Sequence, residues 1–130
     1  MVKGNLAVRK FNKAVTNPIL GALAGKKYFY ASLVKHTGRR SGKTYATPVL
    51  VKKIADGFAF VLPYGTDVDW YRNILASSRC DLLSQGKEYS LVNPKPVETR
   101  TGFAYYGKIY SIIFKALRIA HFFTMEINSD

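Results

Sequence analysis

His36-Thr37-Gly38-Arg39-Arg40-Ser41-Gly42-Lys43 decides how the first half of this chain is read. Two glycines among basic and hydroxyl side chains favour neither a helix nor a strand, so the stretch is a turn. Before it, Tyr28–Lys35 is aromatic and partly β-branched; after it, Thr44–Lys53 carries Tyr45, Thr47, Val49 and Val51 at every second position. A turn between two runs of that kind is a hairpin. Ala55-Asp56-Gly57 then turns the chain into a third run, Phe58–Tyr64, which Pro63-Tyr64-Gly65-Thr66 closes. The result is a β-meander.

Beyond the meander, Asp67 or Asp69 offers an N-cap for a short helix over Trp70–Ala76. Cys80–Ser84, a turn at Gln85-Gly86-Lys87, and Glu88–Val92 form a further hairpin, which ends at Asn93-Pro94-Lys95-Pro96. An aromatic-rich helical region is expected from about Thr101 to Phe123. Within it, Ile109–Phe123 is apolar nearly all round and reads as a buried core or pocket-lining helix, with membrane apposition as the alternative. It falls short of the roughly 20 apolar residues of a spanning helix.

At the other end, Leu6, Phe11, Val15, Ile19 and Leu23 form a ragged helical stripe over Asn5–Ala24, broken near Asn17 by Pro18. Arg9, Lys10 and Lys13 interrupt its apolar run, so it is not a secretory signal. It is either a helix packed on a barrel or one lying on a membrane surface. With 130 residues, the chain is expected to form one domain: an N-terminal helix over 1–26, a barrel over 27–97 and a helical region over 98–130. By pattern it is mainly β (α+β), a small barrel with helical decoration.

Charge narrows the partner. Lys and Arg number 20 against 8 Asp and Glu, formally +12, and twelve of the bases precede the first acid, Asp56. Such a field selects an anion: nucleic acid, a membrane surface or a polyanionic small molecule. The bases lack the regular aromatic interleaving of a nucleic-acid surface, so a specific nucleic-acid partner is not expected, and a non-enzymatic basic module on nucleic acid or a membrane surface is the alternative to an enzyme. In the basic turn, Arg39 and Arg40 supply planar forks, Ser41 a hydroxyl and Lys43 a point charge. Gly38 and Gly42 let the backbone approach an anion and present amide hydrogens to it. Gly42-Lys43-Thr44 looks like the end of a nucleotide-binding P-loop, but the glycine spacing is short and a strand follows.

No hydrolytic constellation is present. His36 and His121 are far apart in sequence, no metal site is expected, and the lone Cys80 reads as packing and fits a reducing compartment. Reactive chemistry would then come from a bound cofactor. Nine tyrosines stand out, among them Tyr64 beside Gly65 and the trio Tyr105, Tyr106 and Tyr110 on one helical segment. Tyrosines around an apolar pocket can hold a planar ligand and offer it a hydrogen bond. Tyr64, Tyr106 and Tyr110 are therefore the candidate catalytic residues.

Read together, these blocks resemble a known family. His36 to Lys43 followed by Thr47-Pro48 is similar to the Thr-Gly-Arg-Lys/Arg-Ser/Thr-Gly…Pro signature of the deazaflavin-dependent nitroreductases and quinone reductases. Tyr64-Gly65-Thr66-Asp67-Val68-Asp69-Trp70-Tyr71-Arg72-Asn73-Ile74-Leu75-Ala76 looks like their Tyr-Gly-x-Asp-x-Asp-Trp-x-Arg-Asn-x-Leu-Ala. The likeness runs over about residues 7–98, with both blocks in the same order and separation, and fades after Val97.

The resemblance implies an FMN-binding-like split β-barrel and an oxidoreductase that uses reduced coenzyme F420, with FMN as the alternative. It implies that Arg39, Arg40, Ser41, Gly42 and Lys43 hold the anionic cofactor's tail, and that Thr47 and Pro48 lie under its ring. Leu62, Pro63, Tyr64 and Gly65 would line the ring, with Trp70 and Asn73 in support. The acceptor would be a small electron-poor molecule: a quinone, enone or nitro compound. One departure is Tyr45, where some members carry arginine, which leaves FMN open. A cytoplasmic protein is implied; contact with the inner face of the membrane and homodimerisation stay open.

Overall fold

The computed structural model describes residues 31–128. These form seven strands: β1 Ser32–Thr37, β2 Thr44–Val49, β3 Val51–Ile54, β4 Gly57–Val61, β5 Arg79–Ser84, β6 Lys87–Val97 and β7 Phe122–Ile127. Three helices interleave with them: α1 Asp69–Ser77, α2 Thr99–Tyr106 and α3 Lys108–Ala116. The helix expected over Asn5–Ala24, with its membrane-surface alternative, lies outside the described residues, as does Tyr28.

All seven strands join one antiparallel sheet in the order β2-β1-β5-β6-β7-β4-β3. β2 and β3 occupy its opposite edges, yet Leu50 is the sole residue between them. One residue spans only about 3.5 Å per step, so the sheet must curl until its two edges nearly meet. That junction makes the fold a split β-barrel. It also corrects the single strand expected over Thr44–Lys53, which is two strands on opposite edges. Pro48 is tolerated in β2 because an edge strand has one side free of ladder bonds.

The alternation of β4 shows how the core divides. Phe58 and Phe60, with Leu62 beyond the strand, enter the main core with Trp70, Leu82, Leu91, Phe123 and Met125. Ala59 and Val61 point the other way, into a second cluster with Tyr106, Phe114 and Phe122 beneath α2 and α3. Every residue of β4 is therefore buried, as a strand covered on both faces must be. Phe60 and Phe123, register partners, stack at 4.7 Å between centroids. Cys80 packs in the main core with Sγ 3.5 Å from Met125 Sδ, and burial pushes its thiol up to about 12.

Three boundaries differ from the sequence reading. The region expected to be helical from Thr101 to Phe123 is two helices that meet at Gly107, followed by a strand that begins at Phe122. β7 is wedged between β6 and β4, and the aromatics that suggest a buried helix are shared by both faces of that strand. α3 is not a buried helix: Phe114 is its one buried residue. β6 runs through Asn93-Pro94-Lys95-Pro96 with a register shift between Val92 and Lys95. Beyond Val92 it has no β5 partner, so the missing proline amides cost no ladder bonds on that side. The Gln85-Gly86 turn has both residues at positive φ, 52° and 80°, as a two-residue hairpin of the right twist requires.

Candidate functional site

The basic turn connects β1 to β2 and folds against α1. Gly38 N–H donates to the Lys43 carbonyl at 2.7 Å, and Gly42 N–H to the Gly38 carbonyl at 2.9 Å. Lys43 N–H donates to Ser41 Oγ at 3.2 Å. Gly42 sits at φ 73°, and a Cβ on Gly38 would collide with Ser41 Oγ and the Tyr45 ring. The glycines therefore let the turn close on itself. Their amides are spent internally, which corrects the expectation that they would be presented to an anion.

α1 starts without the expected cap. Its N-cap is Val68, with no side-chain capping bond. Asp67 pairs with Arg72 at 2.8 Å and Asp69 with Arg39 at 3.1 Å, so both candidate carboxylates are engaged elsewhere. Asp69 still lies in the first turn, where a negative charge favours the helix dipole.

Asn73, buried on α1, ties these elements together. Its Oδ1 accepts from the Arg39 main-chain N–H at 3.1 Å and from Arg39 Nη1 at 2.7 Å. Two donors on one atom fix that atom as the oxygen, so Nδ2 faces His36 Nδ1 at 3.1 Å and donates to it. His36 then carries its proton on Nε2 and donates to Thr47 Oγ1 at 3.0 Å. Burial lowers the His36 pKa to about 4, against an opposing pull from the Asp69 carboxylate, so the imidazole is neutral at pH 7. Tyr45 stacks on the ring at 5.9 Å, and its hydroxyl lies 3.1 Å from Ser41 Oγ.

Two concavities flank this network. The larger, about 670 Å³, is the more polar of the two; Arg39, Arg40, Ser41, Thr47, Trp70 and Asn73 line it together with His36, Gly38, Thr44, Tyr45, Ala46 and Asp69. The smaller, about 150 Å³, is apolar, with walls from Ala31, Pro48, Val49, Leu50, Val61, Leu62, Pro63, Tyr64, Val68 and Trp70. Trp70 lines both, and Thr47 and Pro48 are chain neighbours on opposite sides of the divide. A cleft lined by charged and polar side chains, in which Arg40 has no ion pair among the described residues, thus adjoins an apolar slot.

Most residues singled out from the sequence converge here, in altered roles. Arg39 is committed to Asn73 and Asp69, whereas Arg40 is exposed and makes no ion pair among the described residues. Lys43 is exposed just outside the polar lining, and Gly65, at φ 87°, closes the bend after Leu62 through a 3.1 Å bond. Tyr64 is half-exposed at the mouth of the apolar slot.

Two candidate catalytic tyrosines lie elsewhere. Tyr106 is 4% exposed, and its hydroxyl is 2.6 Å from the Leu50 carbonyl and 3.1 Å from that of Ala59. Burial raises its pKa strongly. Its hydroxyl is a structural donor that latches α2 to the β2–β3 junction and faces neither concavity. Tyr110 packs on Tyr106 and Phe114 on the helical side of the sheet. His36, Tyr45 and Asp69 are among the lining residues that sequence reasoning missed. The His36–Tyr45 register pair across a hairpin was the available signal for two of them.

No protein-family profile matches this sequence, and no curated protein does. Solved structures do. One described as a domain-swapped dimer shares 17% identity at TM-score 0.60 and covers 91% of this chain and 98% of its own. An F420-H2-dependent reductase shares 20% at TM-score 0.54, with 75% and 94% covered. HutZ, a haem storage protein of Vibrio cholerae, shares 9% at TM-score 0.60, with 99% and 93% covered. The chain has the split β-barrel fold on which these proteins are also built.

Proposed function

We propose that this chain is an oxidoreductase that binds a reduced deazaflavin coenzyme of the F420 type and uses it to reduce a small electron-poor acceptor. The observation that carries the reading is the junction at Trp70, where a cleft that holds Arg40, without an ion pair among the described residues, meets an apolar slot. A ligand with a planar ring and a polyanionic tail matches that pair. F420-H2-dependent reductases among proteins of the same fold support it.

On this reading Arg40, Ser41 and Lys43 meet the phosphate and carboxylates of the tail. Arg39 acts one step back: it neutralises Asp69 and holds the turn against α1, which keeps a carboxylate from repelling the tail. Pro48, Leu62 and Pro63 supply apolar walls that orient a ring and exclude water. When bound, the coenzyme supplies a hydride; the acceptor, a quinone, enone or nitro compound, takes it together with a proton. Tyr64, half-exposed and lining the slot, is the residue assigned here to donate a hydrogen bond to the acceptor oxygen as charge develops on it.

Titration of the purified chain with oxidised F420 and, separately, FMN, followed by ring fluorescence, tests the reading. Micromolar binding of F420 supports it; tighter binding of FMN moves the same site to flavin chemistry. Failure of both to bind below about millimolar, a free energy near −4 kcal/mol, overturns it.

A further inference from the structure

α3 points an apolar stripe at solvent. Ile109, Ile112 and Ile113, with Ala116, recur at helical spacing on the exposed face, and Leu117 extends it. Ile109 is 74% and Leu117 64% exposed. The opposite face anchors the helix through Phe114, stacked near Phe103 and Tyr110. A single exposed isoleucine is unremarkable, but a contiguous aliphatic stripe on a docked helix marks a contact surface.

Charge identifies the occupant. From Thr99 to Met125 the chain carries Arg100, Lys108, Lys115 and Arg118 and no Asp or Glu. Lys108, Lys115 and Arg118 flank the stripe and are exposed. An aliphatic strip bordered by cations without acids suits an anionic lipid surface, where side chains enter the acyl boundary and the cations meet headgroup phosphates. A second copy of this chain, itself at +12, would set like charge against like. No helix among the described residues is long and apolar enough to cross a membrane, so this contact lies in the interface plane.

We propose that the outer face of α3 docks the protein on anionic phospholipid bilayers. The proposal stands apart from the hydride-transfer reading and does not need the cofactor.

The test uses the full chain with Ile112→Cys carrying an environment-sensitive fluorophore. Cys80 is buried with its thiol pushed up to about 12, so labelling is confined to the new site. Lys52→Cys, on the exposed part of β3, is the control position. With phosphatidylcholine–phosphatidylglycerol vesicles, the label at 112 brightens and shifts to the blue while the label at 52 does not; pure phosphatidylcholine gives neither response. In co-sedimentation, Ile109→Ser/Ile112→Ser lowers partitioning at least tenfold, and Lys108→Gln lowers it about fivefold. Both changes are on the surface, so circular dichroism and the melting curve stay as in the parent. An unchanged label at 112, or a serine variant that partitions like the parent, overturns the proposal. A dimer that the serine pair dissociates, with no vesicle binding by the parent, overturns it in favour of a second copy.

Discussion

Asn73 Oδ1 accepts two hydrogen bonds from Arg39, one from the main chain at 3.1 Å and one from the guanidinium at 2.7 Å. These bonds hold the basic turn to α1 and, through the amide's other end, set the tautomer of His36. Asn73→Ala leaves a buried imidazole nitrogen and a main-chain N–H without partners, at a cost of about 1–3 kcal/mol each. We expect a lowered urea midpoint with an unchanged slope, and weaker F420 binding because the turn is released. A variant as stable as the parent would show that Asn73 is not the hub.

Arg40 and Arg39 separate cleanly in this geometry. Arg40→Ala is expected to leave stability within about 0.5 kcal/mol, as exposed substitutions do, while weakening F420 by about 1.5–3 kcal/mol for a lost charged contact. Arg39→Ala should lower both stability and affinity. Isothermal titration together with urea melts of the two variants reads the difference; equal binding by the parent and Arg40→Ala would remove Arg40 from the site.

Tyr106 and Tyr64 differ in the same way. Tyr106→Phe removes the donor to the Leu50 and Ala59 carbonyls and should cost about 1–3 kcal/mol of stability with kcat retained. Tyr64→Phe, at a half-exposed position, should change the melt less than Tyr106→Phe does and reduce kcat by about tenfold or more, within the range of a lost transition-state donor. The reverse pattern would place the reacting oxygen on the helical side.

His36 makes stability depend on pH. Its folded pKa, near 4, lies below the ordinary 6.5, so between those values the unfolded chain binds a proton that the folded chain does not. The contribution is fully present above pH 6.5 and falls as pH drops toward 4, by up to about 3 kcal/mol from this group. Urea midpoints taken from pH 7 to 4 should decline in the parent and decline less in His36→Gln. Parallel profiles would assign the loss to other groups.

Much of this arrangement is already local in the chain. The turn at Gly38–Gly42, the hairpin turns and α1 follow from turn-forming residues, with Gly42 and Gly86 at positive φ, from period-2 runs and from helical spacing, all properties of neighbouring residues. The chemical character of the cleft was legible too, because a dense basic turn keeps its charge in any fold. Three features needed the assembled sheet. Nothing in Thr44–Lys53 says that Leu50 carries the chain from one edge to the other, since closure depends on the pairing of β7 with β4. Phe122–Ile127 joins a strand because its aromatics serve two clusters on opposite faces, which apolar content alone cannot distinguish from a helix. Tyr106 and Tyr64 are told apart by burial: Tyr106 is closed in with its hydroxyl on two carbonyls, whereas Tyr64 is half-exposed along the apolar slot. Short-range chemistry thus fixed the turns and the charge, while the roles of Arg39, Asn73 and the tyrosines came from contacts between residues some 30 to 60 positions apart, which only tertiary folding brings together.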